Sequence, residues 1–168
     1  LGMGGFNAVI HAMTTIATGG YSSSDQSIGH FSNKSIEIFI MIGMLVGAMP
    51  FILYLRMIRE GSFALARDPQ VRCFLVIAAA ASSAIAFWLW GSLDMSPVEA
   101  TITASFNTIS IMTGTGYTTA NYQNWGTLPI VILFILMFVG GCAGSTACGI
   151  KIFRFQVLFS TALTQFHR

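Results

Sequence analysis

Apolar and polar positions divide the chain into long apolar runs separated by stretches rich in glycine, serine and threonine. A helix that crosses a bilayer needs about 20 largely apolar residues. The run from Ile36 to Leu55 meets that requirement, with Glu37 at one edge and Arg56 and Arg59 just past the other. The run from Cys73 to Trp90 is a second, ending in Trp88 and Trp90, which suit a membrane–water interface. A third starts at Leu128, stays apolar to Val139, meets the small residues of 140–149 and resumes from Ile150 towards Leu163. The pattern predicts an all-α integral membrane protein with two intact spans and one broken span.

Two further stretches, 4–23 and 96–119, are too polar to cross a membrane and too apolar for free loops. Ser96-Pro97-Val98-Glu99 is a strong helix start, with serine at the cap, proline at the first helical position and glutamate at the third. That helix runs to about Met112, before Gly114 and Gly116 end it. Its length, about 24 Å at 1.5 Å per residue, falls short of the roughly 30 Å hydrocarbon core. Both ends must then lie on one side, which predicts a short pore helix followed by an irregular returning strand. The two stretches also repeat. At an offset of 96, His11 falls on Asn107, Gly20-Tyr21 on Gly116-Tyr117 and Asp25 on Asn121. The repeating unit reads as span, pore helix, glycine-bearing strand, span. Residues 1–60 then form the second half of one unit and 61–168 the whole of the next, so that the chain reads as part of a longer protein.

Composition agrees with lipid surroundings. Only 8% of the 168 residues are charged and 54% are hydrophobic, against about 25% charged in soluble domains. This excludes a cytosolic enzyme and a nucleic-acid binder with a basic face. The three cysteines lack zinc spacing, and Cys142 and Cys148 read as structural thiols. Arg56, Arg59, Arg67 and Arg72 are half of the 8 basic residues, whereas 91–127 contains none. The positive-inside rule places 56–72 and the C-terminus, with Lys151, Arg154 and Arg168, in the cytoplasm, and the filter side outside.

Irregular backbone at membrane depth is tolerated where it is buried in protein or lines a watery cavity. Glycine strands such as 17–21 can turn successive carbonyls one way, and rings of carbonyls replace a cation's hydration shell, as in potassium-channel filters. Taken singly, these glycines read as turn or packing residues; two matched copies favour a filter. The break at 140–149 reads as an intramembrane loop, with close helix packing through Gly140 and Gly144 as the plainer alternative.

These residues, Thr14-Thr15-Ile16-Ala17-Thr18-Gly19-Gly20-Tyr21-Ser22 and Gly140-Gly141-Cys142-Ala143-Gly144-Ser145-Thr146, resemble the Trk/Ktr/HKT superfamily of potassium transporters, most closely its bacterial TrkH type. The resemblance implies four span–pore–span repeats around one pore in the bacterial inner membrane, this chain matching the end of the second repeat and the third. It implies filter glycines at Gly20 and Gly116, with neighbouring carbonyls from Ala17, Thr18, Gly19, Thr113, Gly114 and Thr115. It also implies a gate loop containing Gly140, Gly141, Gly144, Ser145, Thr146 and Gly149. Family members carry potassium as substrate, form homodimers and bind a cytosolic nucleotide-binding regulatory subunit; no cofactor is expected in this chain. Relatives often have Phe where Tyr21 and Tyr117 stand, and continue with glycines where this chain has Ala147-Cys148-Gly149.

Several residues keep two readings. Lys151 either acts on the ion or the loop, or snorkels to the cytoplasmic interface. His11 reads as a hydrogen-bonding residue of the bundle, with a proton relay as the second reading. A sodium or mixed-cation transporter of the same fold is the alternative function. An intramembrane serine hydrolase using Ser145 is remote, since His11 and His30 are expected near the outer face and His167 at the cytoplasmic end.

Overall fold

The computed structural model describes residues 2–31, 33–61 and 64–166, and all regular structure among them is helical apart from one isolated bridge. His167 and Arg168, expected on the cytoplasmic side, lie outside the described residues. Helix α1 (Gly5–Ile16) is followed by a 3-10 turn at Ser27–Phe31, then α2 (Lys34–Ala48) and α3 (Phe51–Glu60). After the short α4 (Ala64–Arg67) come α5 (Pro69–Ser92) and α6 (Pro97–Thr113). A 3-10 turn at Tyr122–Trp125 leads into α7 (Thr127–Leu136), and α8 (Ile152–Phe166) closes the described chain.

The uninterrupted span is α5, 24 residues long and starting earlier than the apolar run because Asp68 caps it. The Asp68 carboxylate accepts from the amides of Gln70 at 2.8 Å and Val71 at 3.1 Å, and Pro69 sits where its missing N–H costs nothing. Helix α6 starts as its sequence predicts, with the Ser96 hydroxyl accepting from the Glu99 amide. Helices α5 and α6 pack along each other, and α2 lies against both α1 and α6, the two helices expected to be pore helices.

The expected span from Ile36 to Leu55 is not one helix. It breaks between Ala48 and Phe51, and α2 and α3 meet at 90°. The cause is Pro50, which lacks an amide to donate and forces its predecessor out of the helical region. Met49 is accordingly extended, at ψ 157°. The third span is broken as expected, between α7 and α8. The described residues thus contain one straight span, one bent pair of helices and, in α7, a shorter apolar helix that ends before the 140–149 loop.

Phe106, Met44, Phe74, Met112 and Tyr117 fill the centre of the bundle, while Phe39, Ile58, Phe87, Phe134, Leu158 and Phe159 point outwards. So much exposed apolar side chain suits lipid or neighbouring spans rather than water.

Candidate ion path and gate loop

Each pore helix runs directly into its strand, and the two junctions are built alike. In the first, the Thr14 hydroxyl donates to the Tyr21 carbonyl at 3.1 Å; in the second, the Ser110 hydroxyl donates to the Tyr117 carbonyl at 2.7 Å. Position 14 and position 110 are equivalent at the offset of 96. His11 meets the Asn7 carbonyl at 2.7 Å, and its counterpart Asn107 donates to the Thr103 carbonyl at 2.8 Å. Both also reach a hydroxyl beyond the strand: Ser22 at 3.1 Å and Thr119 at 2.9 Å.

Backbone geometry repeats too. Thr18 and Gly114 are both left-handed, at φ 49° and 73°, as are Gly20 and Gly116, at 69° and 83°. At Gly20 a side chain would also be superposed on the backbone carbonyl of Thr115, because the two strands approach each other there. Glycine is required at this point by both conformation and space.

The consequence for the carbonyls is specific. Among the described residues, those of Thr18, Gly19, Gly20, Gly114, Thr115 and Gly116 receive no hydrogen bond from the chain. The Thr18 hydroxyl lies 2.8 Å from both the Ala17 and the Thr146 carbonyls, which share its one proton, and the Thr113 carbonyl accepts from the Cys148 amide at 3.1 Å. Of the expected 17–20 and 113–116, the carbonyls of 18–20 and 114–116 are thus the open ones, while those of Ala17 and Thr113 are engaged. Tyr117 crosses between the strands, its phenol donating to the Thr14 hydroxyl, with the Tyr21 carbonyl 3.4 Å away.

The loop 140–149 lies against these junctions. The Thr146 hydroxyl reaches the Ile16 carbonyl at the end of α1, at 2.9 Å, and the Thr18 hydroxyl donates back to the Thr146 carbonyl at 2.8 Å. The Cys148 bond to Thr113 provides the matching contact under α6. Gly140, Gly141 and Gly149 are packed among backbone atoms; a Cβ on Gly141 would stand 2.6 Å from the Ala147 Cβ and 2.8 Å from the Ala48 carbonyl oxygen. At the neck, the Gly140 amide donates to the Ile150 carbonyl at 2.9 Å and the Ile150 amide to the Phe138 carbonyl at 3.1 Å.

The loop also completes the broken helix. A helix end leaves its last carbonyls without partners. Those of α2 are taken by the loop: the Cys142 amide donates to the Ala48 carbonyl at 3.0 Å and the Thr146 amide to the Gly47 carbonyl at 3.2 Å. In return the Phe51 amide, at the start of α3, donates to the Gly144 carbonyl at 3.1 Å. Gln70 of α5 accepts from the Ala143 amide at 3.0 Å. Neither Pro50 nor Gln70 was singled out by sequence. Proline inside an apolar run was the available signal for the first; nothing local marks the second.

Lys151 holds the loop from its far side, donating to the carbonyls of Ala147 and, at 3.4 Å, Ser145. The Ser145 hydroxyl donates to the Cys142 carbonyl at 2.7 Å, and among the described residues no histidine bonds it. Nor do the described residues contain a cluster of histidine, cysteine or carboxylate suited to a metal ion.

Known proteins resemble nearly the whole of this chain. The family profile described as TrkH, cation transport protein, matches residues 2–168. The chain is 42% identical over 158 residues to the Trk system potassium uptake protein TrkI of Halomonas elongata, covering 93% of this chain and 32% of that protein. It is 37% identical to TrkG of Escherichia coli, covering 94% of this chain and 33% of the relative. The crystal structure of the potassium transporter TrkH from Vibrio parahaemolyticus superposes with a TM-score of 0.93 at 32% identity, over 99% of this chain and 36% of that one. The chain therefore spans about a third of the length of the proteins it matches.

Proposed function

The chain belongs to the TrkH family of cation transport proteins, and from that membership we propose that it forms part of the pore of a potassium uptake protein. The reading rests chiefly on one observation: six carbonyls at equivalent positions of the two glycine strands have no donor among the described residues. A carbonyl at membrane depth needs a partner, and a dehydrated potassium ion supplies one. The ends of α1 and α6 add to the attraction, since a helix C-terminus carries partial negative charge. Neither strand contains a carboxylate, as a divalent-ion filter would.

In this reading residues 1–60 are the second half of one pore unit and 61–168 a complete one. Further units of the full-length protein close the ring. Residues 140–149 form the gate beneath the filter, and Lys151 fixes the gate in its closed arrangement. The protein lies in the bacterial cytoplasmic membrane with the filter outside and 56–72 inside. The membrane potential supplies about 2.3 kcal/mol per charge per 100 mV for inward movement, so conduction needs no enzymatic step. A homodimer and a cytosolic nucleotide-binding subunit belong to the same proposal, from family resemblance.

The test is potassium and sodium uptake by the full-length protein in cells without their own potassium uptake systems, with Gly20→Ser or Gly116→Ser. Each change is expected to lower potassium uptake and the preference for potassium over sodium. Unaltered uptake and selectivity in both variants would overturn the assignment.

A further inference from the structure

The ties that hold the two strands to their pore helices differ in one chemical respect. His11 is buried, 2% exposed, in the middle of α1. Its Nδ1 lies 2.7 Å from the Asn7 carbonyl, which can only accept, so this nitrogen carries the ring proton of the neutral form. Nε2 is then a lone pair, and the Ser22 hydroxyl, 3.1 Å away, donates to it. The same Ser22 oxygen accepts from the Ser24 amide at 3.2 Å. The imidazole is also packed against Tyr117, with ring centres 5.9 Å apart, and Tyr117 in turn bonds Thr14, with the Tyr21 carbonyl 3.4 Å away. One ring thus touches the outer arms of both strands.

At the equivalent place in the second copy stands Asn107, which makes the corresponding bonds with a side chain that does not titrate. We propose that His11 is a positioning residue that makes the first strand sensitive to protons: protonation of its Nε2 reverses the bond to Ser22 and places a cation beside the ion path, weakening potassium occupancy. Histidine is the side chain suited to such a change between about pH 5 and 8. Acid is therefore expected to slow uptake and alkali to restore it. The proposal rests on reading 18–20 and 114–116 as the filter.

The neighbouring segments face His11 mainly with aromatic and apolar groups. The second strand offers Tyr117, and the turn Ser27–Phe31 offers the Phe31 ring at 5.4 Å, with His30 stacked behind that ring at 5.3 Å. Helix α2 presents Ile36, Ile40 and Gly43 to the groove it shares with His11. Its charged residues Lys34 and Glu37 are engaged with each other at 3.3 Å. Asp25 is exposed on the outer arm.

The experiment uses the full-length protein in vesicles of bacterial phospholipid, loaded with potassium and with equal pH on both sides. Rubidium uptake is followed from about pH 5.5 to 8, the range in which histidine titrates. The native protein should lose uptake several-fold towards the acid end. His11→Asn copies the bonds of Asn107 and should give a nearly flat profile, with uptake at neutral pH retained. A purely structural role would instead lower uptake equally at every pH. Ser22→Ala keeps the ring that takes up the proton and removes the hydroxyl it bonds, so it should reduce the pH dependence without abolishing it, and it decides the matter if His11→Asn does not reach the membrane. A flat profile in the native protein, or the native profile kept by the variants, overturns the proposal. In those cases potassium selectivity, tested separately at Gly20 and Gly116, still stands or falls independently.

Discussion

The two strands share a scaffold but differ in how they are held. Strand 113–119 has its supports within the chain: α5 lies along α6, and Tyr117 is almost wholly buried at 1% exposure. Strand 17–22 is supported on one side, and Tyr21, the residue equivalent to Tyr117, is 76% exposed. Their connections to the gate loop differ as well. The second strand is joined by a backbone amide, that of Cys148, whereas the first is joined through the hydroxyls of Thr18 and Thr146. Identical local chemistry has been set into unlike surroundings, and the first strand is the one that single side-chain changes can detach.

The sharpest way to separate the copies is alanine at each filter glycine. Any side chain in the left-handed region costs about 1–2 kcal/mol. Gly116→Ala should cost little more than that, since a Cβ there meets nothing within 4 Å. Gly20→Ala adds a collision with the Thr115 backbone and should abolish most uptake and lower the melting temperature further. Equal effects on uptake and melting would show that the strands are spaced differently from the geometry described here.

A smaller difference is expected at the loop connections. Thr146→Val removes the donor to Ile16 and Gly47, costing roughly 1 kcal/mol, and should raise basal rubidium leak through the full-length protein. Cys148→Ala leaves its amide in place and should not change the leak. A leak of the same size in both would mean that the hydroxyl connection does not restrain the loop. The smallest effect is expected at the tyrosines. Tyr117→Phe loses a buried phenol bonded to Thr14, about 1 kcal/mol in thermal unfolding, while Tyr21→Phe loses no bond made among the described residues. A larger effect at Tyr21 would show that another part of the full-length protein engages it.

Much of the fold was legible because its signals are local. The serine–proline–glutamate start of α6, the apolar length of α5 and the interruption at 140–149 each lie within a few consecutive residues. The repeat at an offset of 96 was legible by comparing the chain with itself, and the matched bonds of His11 and Asn107 follow it closely. The 90° turn at Met49-Pro50 was missed because the apolar residues on either side add up to a plausible span. What could not be read at all are the partners of the loop. Gln70 meets Ala143, and Gly47 meets Thr146, across separations at which no sequence spacing applies. The engagement of the Thr113 carbonyl has the same origin, since its partner is the distant Cys148 amide.

If residues 140–149 act as the proposed gate, the exchange of bonds between the α2–α3 break and this loop has a consequence for opening. A loop that withdraws uncovers the carbonyls of Gly47 and Ala48 and the amide of Phe51, polar groups that cannot stay bare in an apolar interior. Water must enter as the loop leaves, and must be expelled when it returns. Opening is therefore a hydration event as much as a movement of backbone. High concentrations of an osmolyte too large to enter the pore should hold the protein shut, with a dependence on water activity that counts the molecules taken up.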